Sequence, residues 1–201
     1  MTTGSGSPLS AARSVSPATD LRREQLASLA AIHAALAKRG QRLAVSESLT
    51  GGLLSAALTT TPGASATFRG GLVVYATDLK ASLAGVDPAL LAARGAVDPA
   101  VAMGLARGAR DRLGADWGIG VTGVAGPEPQ DGQPVGTVFI AIVGPATAAG
   151  TAASDRFEQG SGPEQLTELN LQGSRNRIRS ETVERVVELF LAVLTDADGT
   201  R

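Results

Sequence analysis

The chain contains no cysteine, which excludes disulfides, thiolate nucleophiles and zinc–cysteine sites. It has one histidine, His33, so a multi-histidine metal site is excluded and a histidine-based triad is open only to that residue. A lone histidine on a helix is more often packing or surface than chemistry. Aromatic residues make up 3%, too few for a surface that stacks single-stranded nucleic acid. A formal net charge of -1 excludes a strongly basic nucleic-acid binder. No run approaches the roughly 20 apolar residues that span a bilayer. The longest, Val135 to Val143, is strand-sized and broken by Gly136 and Thr137. The start of the chain lacks both the basic stretch and the apolar run of a secretory signal, so the expected location is cytoplasmic, without a membrane partner.

What is present suits one globular domain: 201 residues, 20.2 kDa and 43% hydrophobic residues. Twelve of the first 20 residues are Ser, Thr, Gly or Pro. That composition buries too little apolar surface to offset its ordering entropy. Residues 1–20 are therefore expected to form a flexible tail, 21–196 the domain and 197–201 a polar tail.

Asp20 is placed to cap a helix with Leu21, Leu26, Leu29, Ile32 and Leu36 on one stripe and Gly40 as its stop. RLAVSES reads as a short strand, LTGGLLSAALTTTPG as a helix, and FRGGLVVYA as a buried strand rich in β-branched residues. TDLKASLAG reads as helical, and two Asp-Pro pairs open helices at DPALLAARG and DPAVAMGLARGARDRLGA. DWGIGVTGVAGPEP is a strand leaving into a glycine-rich loop, VGTVFIAIVG a further strand, and TAASDRFEQ an edge strand. SRNRIRSETVERVVELFLAVL closes the chain as an amphipathic helix, with Ile178, Thr182, Val186, Leu189, Phe190 and Val193 on its face. Alternating strands and helices predict a single three-layer α/β/α domain with a mostly parallel or mixed sheet.

Ligands of open α/β sheets sit beyond the carboxyl ends of the strands, and three such junctions carry unusual residues. In Glu47-Ser48-Leu49-Thr50-Gly51-Gly52, free helix amides would hold an oxyanion beside a serine; equally, Ser48 or Thr50 caps the helix and the glycines make the turn. At Tyr75–Lys80, composition adds weight. Among 18 Lys and Arg only Lys38 and Lys80 are lysines, and a desolvated lysine can act as a base where arginine cannot. The plain alternative is a core tyrosine and a solvated lysine. Thr122-Gly123-Val124-Ala125-Gly126-Pro127 allows close approach of backbone amides to an anion, or is an ordinary connection. Finally, Arg175, Arg177 and Arg179 crowd the start of the last helix, where cations oppose its dipole. A bound phosphate would reverse that cost; so would pairing with Glu181 and Glu184.

ESLTGG, GGLVVYATDLK, VTGVAGP, PVGTVFIAIVG and GSRNRIR, in this order and spacing, resemble the carboxy-terminal domain of the CinA family, the nicotinamide-nucleotide amidases. The likeness covers roughly residues 25 to 195. It implies hydrolysis of the carboxamide of nicotinamide mononucleotide to nicotinate mononucleotide and ammonia. By motif, it makes Ser48 the nucleophile, Lys80 its activator and Tyr75 an aid to proton transfer or orientation. Thr122 and Gly123 would line the substrate pocket and Arg175 would meet the phosphate. Glu47 would hold the constellation, with Thr50, Gly51 and Gly52 beside the substrate and the amides around Gly51 and Gly52 holding the oxyanion. No metal and no cofactor are implied, the partner is a small pyridine nucleotide rather than nucleic acid, and family members are typically homo-oligomers. Two alternatives accompany this reading: a catalytically silent CinA-type nucleotide-binding or interaction domain, and an amidase of the same mechanism acting on another pyridine or amide. The chain departs from the family in two ways. It is too short for the amino-terminal domain that members often carry, so a stand-alone form is expected. It also has a long segment, EQGSGPEQLTELNLQ, open to three readings: a lid, an extra helical turn, or an insertion that displaces Arg175.

Overall fold

A computed structural model describes residues 23–145 and 164–199, with the side chains of 197–199 left aside. The expected tail at 1–20 and the edge strand expected at TAASDRFEQ lie outside the described residues.

Helix α1 (Arg23–Arg39) ends where Gly40 turns to φ 62°, a conformation that costs glycine nothing. Leu29, Ile32 and Leu36 of its stripe are buried, whereas Leu26 is exposed. Strand β1 (Leu43–Glu47) is buried throughout. Helix α2 (Leu53–Leu58) is shorter than expected, because Gly51 and Gly52 take positive φ and form a turn ahead of it. Strand β2 (Phe68–Val73) alternates half-buried and exposed residues. It is not the fully buried strand its β-branched residues suggest, for it forms one edge of the sheet. Helix α3 (Thr77–Ser82) follows. Helices α4 (Pro88–Arg94) and α5 (Pro99–Leu113) open as their Asp-Pro pairs dictate: Asp87 accepts the Ala89 N–H and Asp98 the Ala100 N–H.

Strands β3 (Trp117–Gly123) and β4 (Thr137–Val143) are wholly buried. Strand β5 (Glu164–Asn170) occupies the segment expected as a lid or helical turn, and it forms the second edge. Helix α6 (Arg175–Gly199) continues past the expected end into the segment read as a polar tail.

The strand order is β2-β1-β3-β4-β5. β2, β1 and β3 are parallel, while β4 and β5 pair antiparallel. The sheet is therefore mixed. A loop without a helix joins β3 to β4, so the chain returns alongside β3 instead of crossing over. One face packs on α1, α2 and α6, with Ile119, Ile140, Val186 and Phe190 in its core. Trp117 meets Phe190 edge-on at 5.5 Å. The other face receives α5, and it does so closely. A Cβ on Gly118 or Gly120 would lie 2.0 or 2.2 Å from the carbonyls of Ala106 and Ala102. β1, β2 and β3 all end at the same edge of the sheet, and the first turn of α6 comes to that edge.

Candidate functional site

Glu47 is fully buried at the end of β1. Its carboxylate accepts the amides of Gly52 (2.9 Å), Leu54 (3.1 Å) and Ser55 (2.8 Å), and the Ser55 hydroxyl at 2.6 Å. Such a set of donors compensates a buried anion. It also corrects an expectation. The Gly52 amide is committed to Glu47 and the Gly51 amide to the Ser48 carbonyl at 3.1 Å, so neither is free to hold an oxyanion. Arg179 fixes the same loop from α6, donating to the carbonyls of Leu49 at 2.9 Å and Thr50 at 2.8 Å. Glu47, Thr50, Gly51 and Gly52 therefore build the turn and do not line the neighbouring cavity. The Thr50 hydroxyl is buried with no hydrogen-bond partner among the described residues.

That cavity has a volume of about 230 Å³ and lies beyond the ends of β1, β2 and β3. Ser48, Tyr75, Thr122, Gly123 and Arg175 all contribute to its wall, drawn from four separate stretches of chain. Ser48 is 8% exposed, and its hydroxyl makes no hydrogen bond among the described residues. Thr122 donates to the Ala96 carbonyl at 2.6 Å. Arg175 donates one N–H to the Gly126 carbonyl at 2.6 Å and another to the Tyr75 hydroxyl at 2.9 Å. Because the Tyr75 oxygen accepts from arginine, its own proton is free to be given elsewhere. Strand β5 does not displace Arg175. Of the three crowded arginines it alone lines the cavity, whereas Arg177 pairs with Glu181 at 3.5 Å on the surface and Arg179 holds the loop.

Lys80 is 1% exposed and sits behind this wall, not in it. Its amine donates to the carbonyls of Val74 at 2.9 Å and Tyr75 at 3.2 Å. Among the described residues it makes no hydrogen bond to Ser48. The two are linked through backbone: the Val74 amide donates to the Glu47 carbonyl at 2.9 Å, and Glu47 precedes Ser48. Burial pushes the Lys80 amine below its ordinary value of 10.5, opposed by the charges of Asp131 and Asp78. A neutral amine has two N–H donors and one lone pair. In that neutral form the carbonyls of Val74 and Tyr75 would satisfy both donors and leave the lone pair uncommitted.

His33 is buried away from this site. Its Nε2 lies 2.9 Å from the Leu58 carbonyl and must donate to it, and its Nδ1 lies 2.6 Å from the Thr67 hydroxyl. That is a packing role. Sequence reasoning missed Ala96, Glu128 and Gln130 in the wall and Asp131 behind it. The Asp-Gly pair at 131–132, a tight-turn signal, is the sequence feature from which that loop could be located.

The sheet order defines an α/β domain with a cavity at the strand ends, the place where ligands of open α/β sheets sit. The chain belongs to the CinA family: the family model of the CinA C-terminal domain matches residues 25–194. A CinA-like protein of Frankia casuarinae is 47% identical over 159 residues, which are 79% of this chain and 33% of that protein. One of Mycolicibacterium paratuberculosis is 43% identical over 160 residues, 79% of this chain and 34% of its own length. The chain thus spans about a third of the curated relatives it matches. Among solved structures, the competence/damage inducible protein CihA of Agrobacterium tumefaciens superposes with a TM-score of 0.75 at 30% identity. The match covers 88% of this chain and 99% of that one. The competence-damaged protein superfamily member of Enterobacter cloacae gives 0.75 at 26% identity, covering 95% and 99%. No helix among the described residues is long and apolar enough to cross a membrane.

Proposed function

We propose that this domain is a nicotinamide-nucleotide amidase, hydrolysing the carboxamide of nicotinamide mononucleotide to nicotinate mononucleotide and ammonia. The observation that carries the reading is the meeting of Ser48, Tyr75, Thr122 and Arg175 in one cavity at the strand ends, with a buried lysine behind them whose amine burial pushes below its ordinary value. Family membership supports the CinA-type site; the reaction itself is the proposal.

In this reading the Ser48 oxygen attacks the amide carbon and its proton passes toward the Lys80 lone pair. The C–N bond breaks as the departing nitrogen takes a proton, releasing ammonia and leaving an ester on Ser48. Water then attacks the ester carbon, freeing the carboxylate and restoring the hydroxyl. Tyr75, held by Arg175, supplies a hydroxyl proton to the reacting groups, and Arg175 orients the phosphate. The Gly51 and Gly52 amides have no part in it.

Purified protein should release ammonia from nicotinamide mononucleotide, and Ser48→Ala should abolish that release. Turnover unaffected by the substitution would remove the proposed nucleophile. Phosphate-free nicotinamide should be a poor substrate. One observation favours a second reading, a silent nucleotide-binding domain: the Ser48 hydroxyl is not hydrogen-bonded to Lys80. Binding of nicotinamide mononucleotide without ammonia release would establish that alternative.

A further inference from the structure

Past Gly126 the chain closes into a two-residue hairpin. Gln130 and Gln133 exchange both backbone hydrogen bonds, at 3.1 and 2.8 Å, around Asp131 and Gly132. Both central residues have positive φ, 52° and 75°, as so tight a turn requires. Asp131 is the one non-glycine residue with positive φ among those described. The turn aims its carboxylate. Oδ2 accepts the Ala96 N–H at 2.6 Å and the Val97 N–H at 3.3 Å. The approach to Gly95 is so close that a Cβ there would lie 2.5 Å from Asp131 Cγ. Ala96 and Val97 are cavity wall, and the Ala96 carbonyl receives the Thr122 hydroxyl.

We infer that Asp131 is a positioning residue of this site, acting through Ala96 and through Lys80 and not on the substrate itself. The inference deepens the reading of Lys80 as the base and rests on it. Among the described residues, the charges that act on Lys80 are Asp131 from the hairpin, the stronger, and Asp78 from its own helix. The end of β2 offers it only carbonyls, and the packed elements around α3 present Leu72, Val86, Leu91, Val101 and Leu105. Burial drives the amine toward neutrality and Asp131 resists. That balance suits a group that must take a proton and then carry it. Asp131 is exposed, so its field is weakened by salt.

The two lysines make the test clean. Full-length protein labelled with [ε-13C]lysine gives two signals, and Lys38→Arg leaves only that of Lys80. Asp131→Asn keeps an acceptor for the Ala96 amide and tolerates the left-handed conformation, but drops the charge. The Lys80 titration midpoint should move to lower pH in Asp131→Asn, move less in Asp78→Asn, and show a smaller difference from wild type at high salt. A midpoint unchanged in Asp131→Asn overturns the inference. Asp131→Ser, which also keeps an acceptor, decides the matter if the asparagine variant does not fold. In turnover, Asp131→Asn should carry the acidic limb of kcat/KM to lower pH with KM nearly unchanged. Asp131→Ala, which loses the acceptor, should raise KM about tenfold. A purely structural Asp131 would leave the limb in place. The lysine titration needs no turnover, so a shifted Lys80 signal in a protein that releases no ammonia would sink the amidase reading and leave the role of Asp131 standing.

Discussion

Two polar regions meet at the cavity, and they spend their hydrogen bonds differently. In the loop from Glu47 to Gly52, the carboxylate takes three amides and a hydroxyl, while Arg179 takes two carbonyls. Across from it, Arg175 binds a carbonyl and the Tyr75 oxygen, which leaves the tyrosine proton unspent. The first region is a scaffold that presents Ser48 to the cavity. The second is a wall with groups left over for a ligand. Both are glycine-rich and carry arginine, so composition alone assigns them the same task.

The largest expected effect falls on the scaffold. Glu47→Ala orphans four donors in the interior and should cost about 3–5 kcal/mol of stability, read from urea unfolding. A loss below about 1 kcal/mol would show that the loop holds without the carboxylate. Next comes chemistry. Lys80→Arg puts a permanently protonated group there that cannot accept a proton, so kcat should fall at least about 10²-fold. Arg175→Ala belongs to the wall and should chiefly raise KM, by about tenfold, with kcat little changed. Equal kcat losses with unchanged KM in both variants would erase the distinction between base and binding wall.

Lys80 also leaves a mark on stability, with a definite sign. Its amine titrates below 10.5 in the folded state, so between the two values the unfolded chain binds more protons. Stability contributed by Lys80 therefore rises with pH across that window, and the cost of burying the ammonium is borne in full below it. Relative to Lys80→Met, the wild type should gain stability as pH increases; a flat or falling difference contradicts a Lys80 amine lowered by burial. Smallest of all, Arg177→Ala breaks only a surface pair and should change stability by less than about 0.5 kcal/mol.

Legibility followed the same division. The Asp-Pro pairs marked α4 and α5 because caps are local chemistry, and the three parallel strands followed from their apolar runs. Strand β5 was not legible, because the face it turns inward is Gln165, Thr167 and Leu169, two polar residues to one apolar. FRGGLVVYA reads as a buried strand through Val73 and Val74, yet β2 lies at an edge, a matter of topology that composition does not record. Ser48, Tyr75, Thr122 and Arg175 were found from strand-end position and resemblance, and Lys80 stood out by the rarity of lysine. What the sequence could not convey was which atoms were already spoken for. The amides of Gly51 and Gly52 looked available, and Glu47, their neighbour in sequence, had claimed the loop from inside.

Rapid quenching during turnover of nicotinamide mononucleotide, followed by intact-mass analysis and peptide mapping, tests the account most directly. It predicts an acyl adduct of the nicotinate mononucleotide moiety on Ser48, absent from Ser48→Ala. Ammonia release with no adduct, and with undiminished turnover in Ser48→Ala, would contradict it.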